Sequence, residues 1–320
     1  MHCPSLKDLP PPPPGKRGWP WTKGSPPLPP TMPNSDPWPK ISIVTPSFNQ
    51  GQFIEETIRS VLLQNYPNLE YIIIDGGSTD NSVEIIKKYE PWLKYWVSEP
   101  DRGQSHAMNK GFMLSNGEIM AWLCSDDLYK INTLMYAANI LNNENSNWLA
   151  GSADIINADS KTTSIINIKD ISINSFFRWL IYCFPQPSVF WKRSIWEKTN
   201  YLDRNLHYTM DIDLWFQMYN IEPPITSSIV FSCLRHHIKS KTSGAESYKF
   251  LQEYQEWLKN LMCNNQTKKN SYFYGKLAEQ LIVLQKKEAN LERIKKHLIF
   301  GNLIKFWKSI INKNFNVFDI

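Results

Sequence analysis

The sequence predicts an α/β fold: an open, mostly parallel sheet flanked by helices, preceded by a proline-rich arm and followed by a helical tail. Three observations predict it. Short β-branched runs alternate with amphipathic stretches of helix length from Lys40 to Asp127, the pattern of strand–helix–strand units that pair in parallel. A polar cluster closes each apolar run, at the strand ends where open α/β sheets bind ligands. Residues 1–39 hold most of the 22 prolines and cannot build a core.

The elements follow in order. The arm contains five consecutive prolines, Pro10 to Pro14, with Trp19, Trp21 and Trp38 interspersed. Such a segment favours extended polyproline conformations, so it either lies over the domain or forms a disordered tail. ISIVTPSF is a β-branched run closed by proline, and FIEETIRSVLLQ carries apolar residues at helical spacing. YIIID reads as a second buried strand, and NSVEIIKKYEPW as a second helix after a Ser-Thr-Asp-Asn cap region. YWVSE is a third strand, SHAMNKGFML a third helix and EIMAWLCSDD a fourth strand. This is a Rossmann-like organisation. Its polar clusters, Thr45 to Asn49, Asp75 to Asp80, Glu99 to Gln104 and Ser125 to Asp127, converge on one crevice.

Composition narrows the classes. With 320 residues and 42% hydrophobic content, the chain can bury one catalytic core with appendages. A net charge of +5, from 35 basic and 30 acidic residues, does not suggest a nucleic-acid partner. Five cysteines, odd in number and far apart, argue against a disulfide framework and for a reducing compartment. There is no signal-peptide pattern and no apolar run of about 18 residues to span a bilayer. The expected location is cytoplasmic. From Arg293 to Phe318 six Lys or Arg residues stand without an acidic one among Leu, Ile, Phe and Trp307. That segment is either an amphipathic helix touching the inner face of the plasma membrane or a helix packed on the catalytic domain.

The fourth strand ends in two adjacent carboxylates, Asp126 and Asp127. Like charges repel unless something positive sits between them, and hard divalent ions take carboxylate oxygens. Three of the four converging loops carry carboxylates, so a cation site explains the pair better than a polar turn does.

VTPSFNQGQFIEETIRSVLLQ, IIIDGGSTDNS, SEPDRGQSHAMNKG and LCSDD, in this order, resemble glycosyltransferase family 2, whose members have the GT-A fold. The resemblance continues through FPQPSVFWKRSIWEK, LHYTMDIDLW and RHHIKSKT, and covers about Lys40 to Gly244. It implies residues 1–39 as the arm, 40–245 as the GT-A domain (40–130 the nucleotide-sugar half, 131–245 the acceptor half) and 246–320 as a helical extension. It also implies inverting transfer of a sugar from a nucleotide-diphosphate donor, UDP by family preference, to an acceptor hydroxyl. The acceptor would be a carbohydrate, a lipid-linked oligosaccharide or another glycoconjugate. A divalent metal, Mn²⁺ or Mg²⁺, would offset charge on the leaving diphosphate.

By the same resemblance Asp127 is the metal ligand of a DXD-type motif in which Ser125 takes the first acidic place, and Asp126 faces the ribose or a metal-bound water. Asp75 matches a donor-base contact, although helix capping would also suit it. The family's frequent second aspartate is Gly76 here. Thr45 and Pro46 would line the base pocket through backbone groups, and Asp101 and Arg102 sit beside the crevice, Arg102 for phosphate, ribose or a surface salt bridge. Asp211 matches the catalytic base. Asp213, about 200° around a helix from it, is the runner-up. His237 matches a metal or diphosphate ligand or is structural; neutral imidazole suits Mn²⁺ better than Mg²⁺. Arg235 and Lys241 would bind diphosphate oxygens, and Gln186 marks the acceptor cleft or a rigid turn.

Two other classes stay in view. A metal-dependent nucleotidyltransferase needs a glycine-rich, basic phosphate loop after the first strand, and PSFNQGQF has one glycine and no Lys or Arg. A non-catalytic sugar-nucleotide-binding module would not need both Asp127 and Asp211.

Overall fold

The computed structural model describes residues 4–144, 146–168, 185–241 and 247–263. The boundary between two compact units falls between Glu253 and Tyr254, so the arm and the sheet belong to one unit. No helix among the described residues is long and apolar enough to cross a membrane. The basic segment 293–320 lies outside the described residues.

The alternation read from the sequence is present. Strands β1 (Ile41–Ser47), β2 (Leu69–Asp75), β3 (Tyr95–Ser98) and β4 (Ile119–Trp122) are interleaved with helices α1 (Ile54–Leu62), α2 (Ser82–Tyr89) and α3 (Gln104–Leu114). All three pairings among these strands are parallel. Their register sets Ser47, Asp75 and Ser98 side by side at the carboxyl edge. Both β1 and β2 are buried along their whole length, which accounts for their unbroken apolar runs. α3 lies so close on β1 that a Cβ on Gly111 would stand 2.4 Å from Val44 Cγ1.

The second half is mixed rather than mostly parallel. It comprises β5 (Leu128–Tyr129), α4 (Thr133–Asn143), β6 (Trp148–Ile156), β7 (Thr162–Ile166), β8 (Val189–Lys192), α5 (Arg193–Trp196), α6 (Met210–Ile221) and β9 (Ile225–Arg235). The whole sheet runs β3-β2-β1-β4-β8-β6-β9-β5, with β7 on β6. β8 joins the halves, antiparallel to β4 and to β6. β9 threads between β6 and β5, parallel to one and antiparallel to the other. Helix α7 (Ser247–Cys263) follows. An aromatic core fills the join: Trp122 stacks on Trp215 at 5.3 Å, and Trp191 meets Trp122 edge-on at 5.4 Å. Such pairs add to the large apolar area that each ring buries.

Of the two readings left open for the arm, the structure has it lying over the domain. Leu9, Trp21, Met32 and Trp38 are buried. This changes α1, which the sequence presents as amphipathic. Eight of its nine residues are buried, Glu56, Thr57, Arg59 and Ser60 among them. Its outer face meets the arm instead of water: Arg59 donates to the carbonyls of Pro10, Pro20 and Trp21 and to the Tyr89 hydroxyl. A fully buried guanidinium requires such a complete set of acceptors.

Candidate active site

The carboxyl edge of β1, β2 and β4 gathers the polar loops, and each is held by its neighbours. Asp75 is fully buried. Its Oδ2 accepts from the Ser78 amide at 2.8 Å and the Ser98 hydroxyl at 2.7 Å, and its Oδ1 accepts from the Ser78 hydroxyl at 2.6 Å. These bonds fold the GGS turn back on the strand end. The loop after β1 interlocks with it, because the Asn49 amide donates to Ser78 Oγ and the Thr79 amide donates to Asn49 Oδ1. Asp101 accepts from the Gly103 amide at 2.7 Å, and Gly103, at φ +103°, makes the turn that opens α3. The other Asp101 oxygen lies against Gly76, where a Cβ would come within 2.7 Å of it. An aspartate at position 76 would have to displace that carboxylate.

Beyond β4 stands the acidic pair. Cys124, Asp126 and Asp127 place ligand atoms within 4.8 Å of one another. Asp127 is buried; its Oδ1 accepts from the Arg235 amide at 2.8 Å and its carbonyl from the Thr57 hydroxyl at 2.8 Å. Burial first, and then the charge of Asp126, push the Asp127 carboxyl well above the usual carboxylate range. His237 Nε2 lies 2.9 Å from Asp126 Oδ2, and the His237 ring packs at 4.9 Å against Phe53. Two adjacent carboxylates, one of them raised by burial and by its neighbour's charge, with an imidazole beside them, fit a divalent cation that would relieve the repulsion. Cys124, Asp126 and Asp127 are the groups that could hold it, with His237 bonded to Asp126.

Asp211 opens α6, and its Oδ1 accepts from the Ile212 amide at 2.8 Å. Desolvation pushes its carboxyl up to about 6, against the pull of that amide and of Lys241. Asp213 turns elsewhere and accepts from Gln217 at 2.7 Å, one turn along the helix. Lys241 donates to Gln104 Oε1 at 2.8 Å and to the His207 carbonyl at 3.0 Å. Gln104 in turn donates to Cys124 Sγ at 3.2 Å, and Cys124 lies 3.5 Å from Gln186 Oε1. Gln186 also donates to the Trp122 carbonyl at 2.9 Å, which fixes it at the end of β4. The Cys124 thiol feels charge from both groups of residues. Burial raises its pKa most; Asp127, Asp126 and Asp211 raise it further, and Lys241 lowers it.

One expectation needs correction. Arg235 does not offer its guanidinium to a diphosphate. It is 2% exposed, and Nε donates to the Asp126 carbonyl, Nη1 to Asn157, Ala158 and Ser160, and Nη2 to Glu56 at 2.9 Å. It holds the acidic loop from behind. Thr45 and Pro46 lie inside β1, which continues to Ser47, and the Thr45 hydroxyl is 3.0 Å from the buried Tyr71 hydroxyl. Ser47, which ends β1, is buried, and the next residue, Phe48, is 60% exposed. Asp75 has its oxygens engaged in shaping the GGS turn. Arg102 is exposed beside that turn.

Other residues were missed by sequence reasoning. Glu56 pairs with Arg235, and Cys124 stands at the centre of the cluster. Glu253 Oε1 accepts from the amides of Tyr208 and Thr209 and from the Thr209 hydroxyl, which fixes the approach to Asp211. Only Cys124 carried a signal, as the neighbour of the acidic pair.

The family model described as Glycosyl transferase family 2 matches residues 42–207. The chain belongs to that family. An uncharacterized glycosyltransferase of Rickettsia typhi is 30% identical over 223 residues, which cover 65% of this chain and 66% of that relative, just under two thirds of its length. S. aureus TarS in complex with UDP-GlcNAc shares the fold at a TM-score of 0.58 and 18% identity, over 75% of this chain and 71% of that one. Mannosyltransferase PcManGT from Pyrobaculum calidifontis, in complex with GDP-Man and Mn²⁺, does so at 0.55 and 16%, over 85% and 83%. The family 2 match ends at residue 207, so it includes the acidic pair but stops short of Asp211 and His237.

Proposed function

We propose that this family 2 chain transfers a sugar, with inversion, from a nucleoside-diphosphate donor to an acceptor hydroxyl, in the GT-A manner. The observation that carries the reading is the acidic pair Asp126 and Asp127 clustered with Cys124 at the end of β4, with Asp211 near enough to raise the Cys124 thiol. One carboxylate pair suits a cation and a diphosphate; a separate carboxylate suits a proton acceptor. A bound Mn²⁺ or Mg²⁺ would offset the negative charge that grows on the departing diphosphate.

The remaining work falls to the chain. Asp127 and Asp126 bind on the donor side, with His237 at Asp126. Phe48 and the Asp75-folded turn form the wall against which the nucleoside lies. Asp211 takes the acceptor proton as the new bond forms, and a carboxyl raised to about 6 is a stronger base than an ordinary aspartate while still ionised at neutral pH. Gln186 and Lys241 lie on the acceptor side of Cys124. The donor is a UDP-sugar first and a GDP-sugar second, since neighbours of this fold are described with each. The acceptor is a growing polysaccharide, a lipid-linked oligosaccharide or a glycoconjugate.

The test is nucleotide release from UDP- and GDP-sugars by the purified chain with Mn²⁺, followed by anomeric analysis of any product. Release that requires Mn²⁺ and falls with Asp211→Asn supports the reading. Mn²⁺-dependent binding with no release in any acceptor mixture would leave a binding module; a retained anomer would remove inversion.

A further inference from the structure

The acidic loop is braced from outside the sheet by the proline-rich arm, which the function proposed above does not use. β5 is only two residues long and pairs with β9 along one edge. On its other side the Tyr129 carbonyl accepts from the Trp19 indole at 2.8 Å. Three residues further along the segment, the Asn132 amide donates to the buried Ser25 hydroxyl at 3.1 Å. Alongside these two contacts α1 adds its own row: Thr57 donates to the Asp127 carbonyl, Ser60 accepts from the Tyr129 amide, and Gln64 donates to the Lys130 carbonyl. The arm grips α1 as well, through the three carbonyls that accept from Arg59. Segment 127–132 is therefore held by a hydrogen-bonded stack whose outer layer is the arm.

A two-residue strand with one ladder partner has little stiffness of its own. Loss of the indole donor also strands the carbonyl of a fully buried residue, Tyr129. The position of Asp127, two residues upstream, depends on that segment. We infer that the arm is a positioning element of the metal and donor site, with Trp19 and Ser25 as its positioning residues. Its role is to present Asp127 to the cation and diphosphate. The inference rests on the proposed donor chemistry at Asp126 and Asp127.

The experiment compares two arm tryptophans in the full chain. Trp19→Phe keeps a ring and removes the donor to Tyr129. Trp38→Phe removes an indole bond to Pro29 at 2.9 Å that stays within the arm. Binding of UDP is titrated by calorimetry at stepped Mn²⁺ concentrations, and thermal unfolding is followed without metal. Trp19→Phe should raise the Mn²⁺ midpoint for UDP binding about 3- to 10-fold, whereas Trp38→Phe should leave it at the wild-type value even where it lowers the unfolding temperature. Ser25→Ala should shift the midpoint in the same direction, and it serves as the variant if Trp19→Phe does not fold. An unchanged midpoint in Trp19→Phe or Ser25→Ala, or an equal shift in Trp38→Phe, overturns the inference and leaves the donor chemistry intact. A wild-type chain that binds UDP without any Mn²⁺ dependence overturns both.

Discussion

The parallel half and the mixed half of the sheet contribute to one site by different routes. In the parallel half, functional groups sit where their own strand ends. Ser47, Asp75 and Ser98 align through register alone, and Cys124 to Asp127 follow β4 directly. In the mixed half, groups distant in sequence are delivered by topology. β9 carries Arg235 and His237 to the acidic pair across a separation of more than a hundred residues, and α6 presents Asp211 from elsewhere. Strand-end chemistry tolerates local reading, whereas the second half acts through the path of its chain.

The largest expected effect breaks the mixed half's chemistry. Asp211→Asn should lower turnover roughly 10²- to 10⁴-fold while donor binding persists, since it removes basicity and keeps size. Asp213→Asn, whose carboxylate is tied to Gln217, should do far less. Steady-state kinetics and calorimetry on both variants decide it, and a dead Asp213 variant beside an active Asp211 variant would exchange their roles.

Next in size is the link that joins the halves. Arg235→Met leaves Glu56 buried without its partner, a loss of about 3–5 kcal/mol by the usual cost of breaking a buried ion pair. Urea unfolding should show it, and adding Glu56→Gln should recover part of the loss. A change below about 1 kcal/mol would show that the pair does not tie β9 to α1. The parallel half is tested by Gly111→Ala. Its Cβ would meet Val44 at 2.4 Å, and overpacking of this kind costs about 1–3 kcal/mol. Unfolding at wild-type urea concentration would mean that the α3–β1 contact gives way freely.

The smallest effect lies in the pH profile. Asp211 is raised to about 6 by desolvation. The base must be ionised, so kcat should fall about tenfold per pH unit below about 6, where an ordinary aspartate would hold its rate two units further down. The stability sign is the reverse: a carboxyl that binds its proton more tightly in the folded chain contributes stability at low pH, lost as pH rises through about 6. Asp211→Asn should therefore unfold at a higher temperature than the wild type at pH 8 and lose that advantage near pH 4. An acid limb near pH 4 in the rate profile would place the base on another group.

Much of the parallel half was legible in the residues. ISIVTPSF, YIIID and EIMAW were readable because buried parallel strands are continuous apolar runs, and the carboxylates after them because crevices form at strand ends. What misled was a residue type without its surroundings. Arg235 carries the charge of a phosphate binder, and nothing in RHHIKSKT announces that Glu56, Ser160 and three carbonyls enclose it. Asp75 was open to a base contact or a capping role, and the residues alone did not name Ser78 and Ser98 as the partners of its oxygens.

By itself the sequence determined the α/β alternation, the place of the acidic pair at the end of β4, and an arm too rich in proline to form a core. These depend on period, turn chemistry and backbone constraint, which act over a few residues. Only the tertiary structure decided that the arm covers α1, that β9 passes between β6 and β5, and that Asp211 rather than Asp213 turns away from Gln217. The physical reason is that hydrogen bonding and desolvation depend on what lies within a few ångströms in space. Apart from neighbours along the chain, those partners come from segments separated by tens to more than a hundred residues.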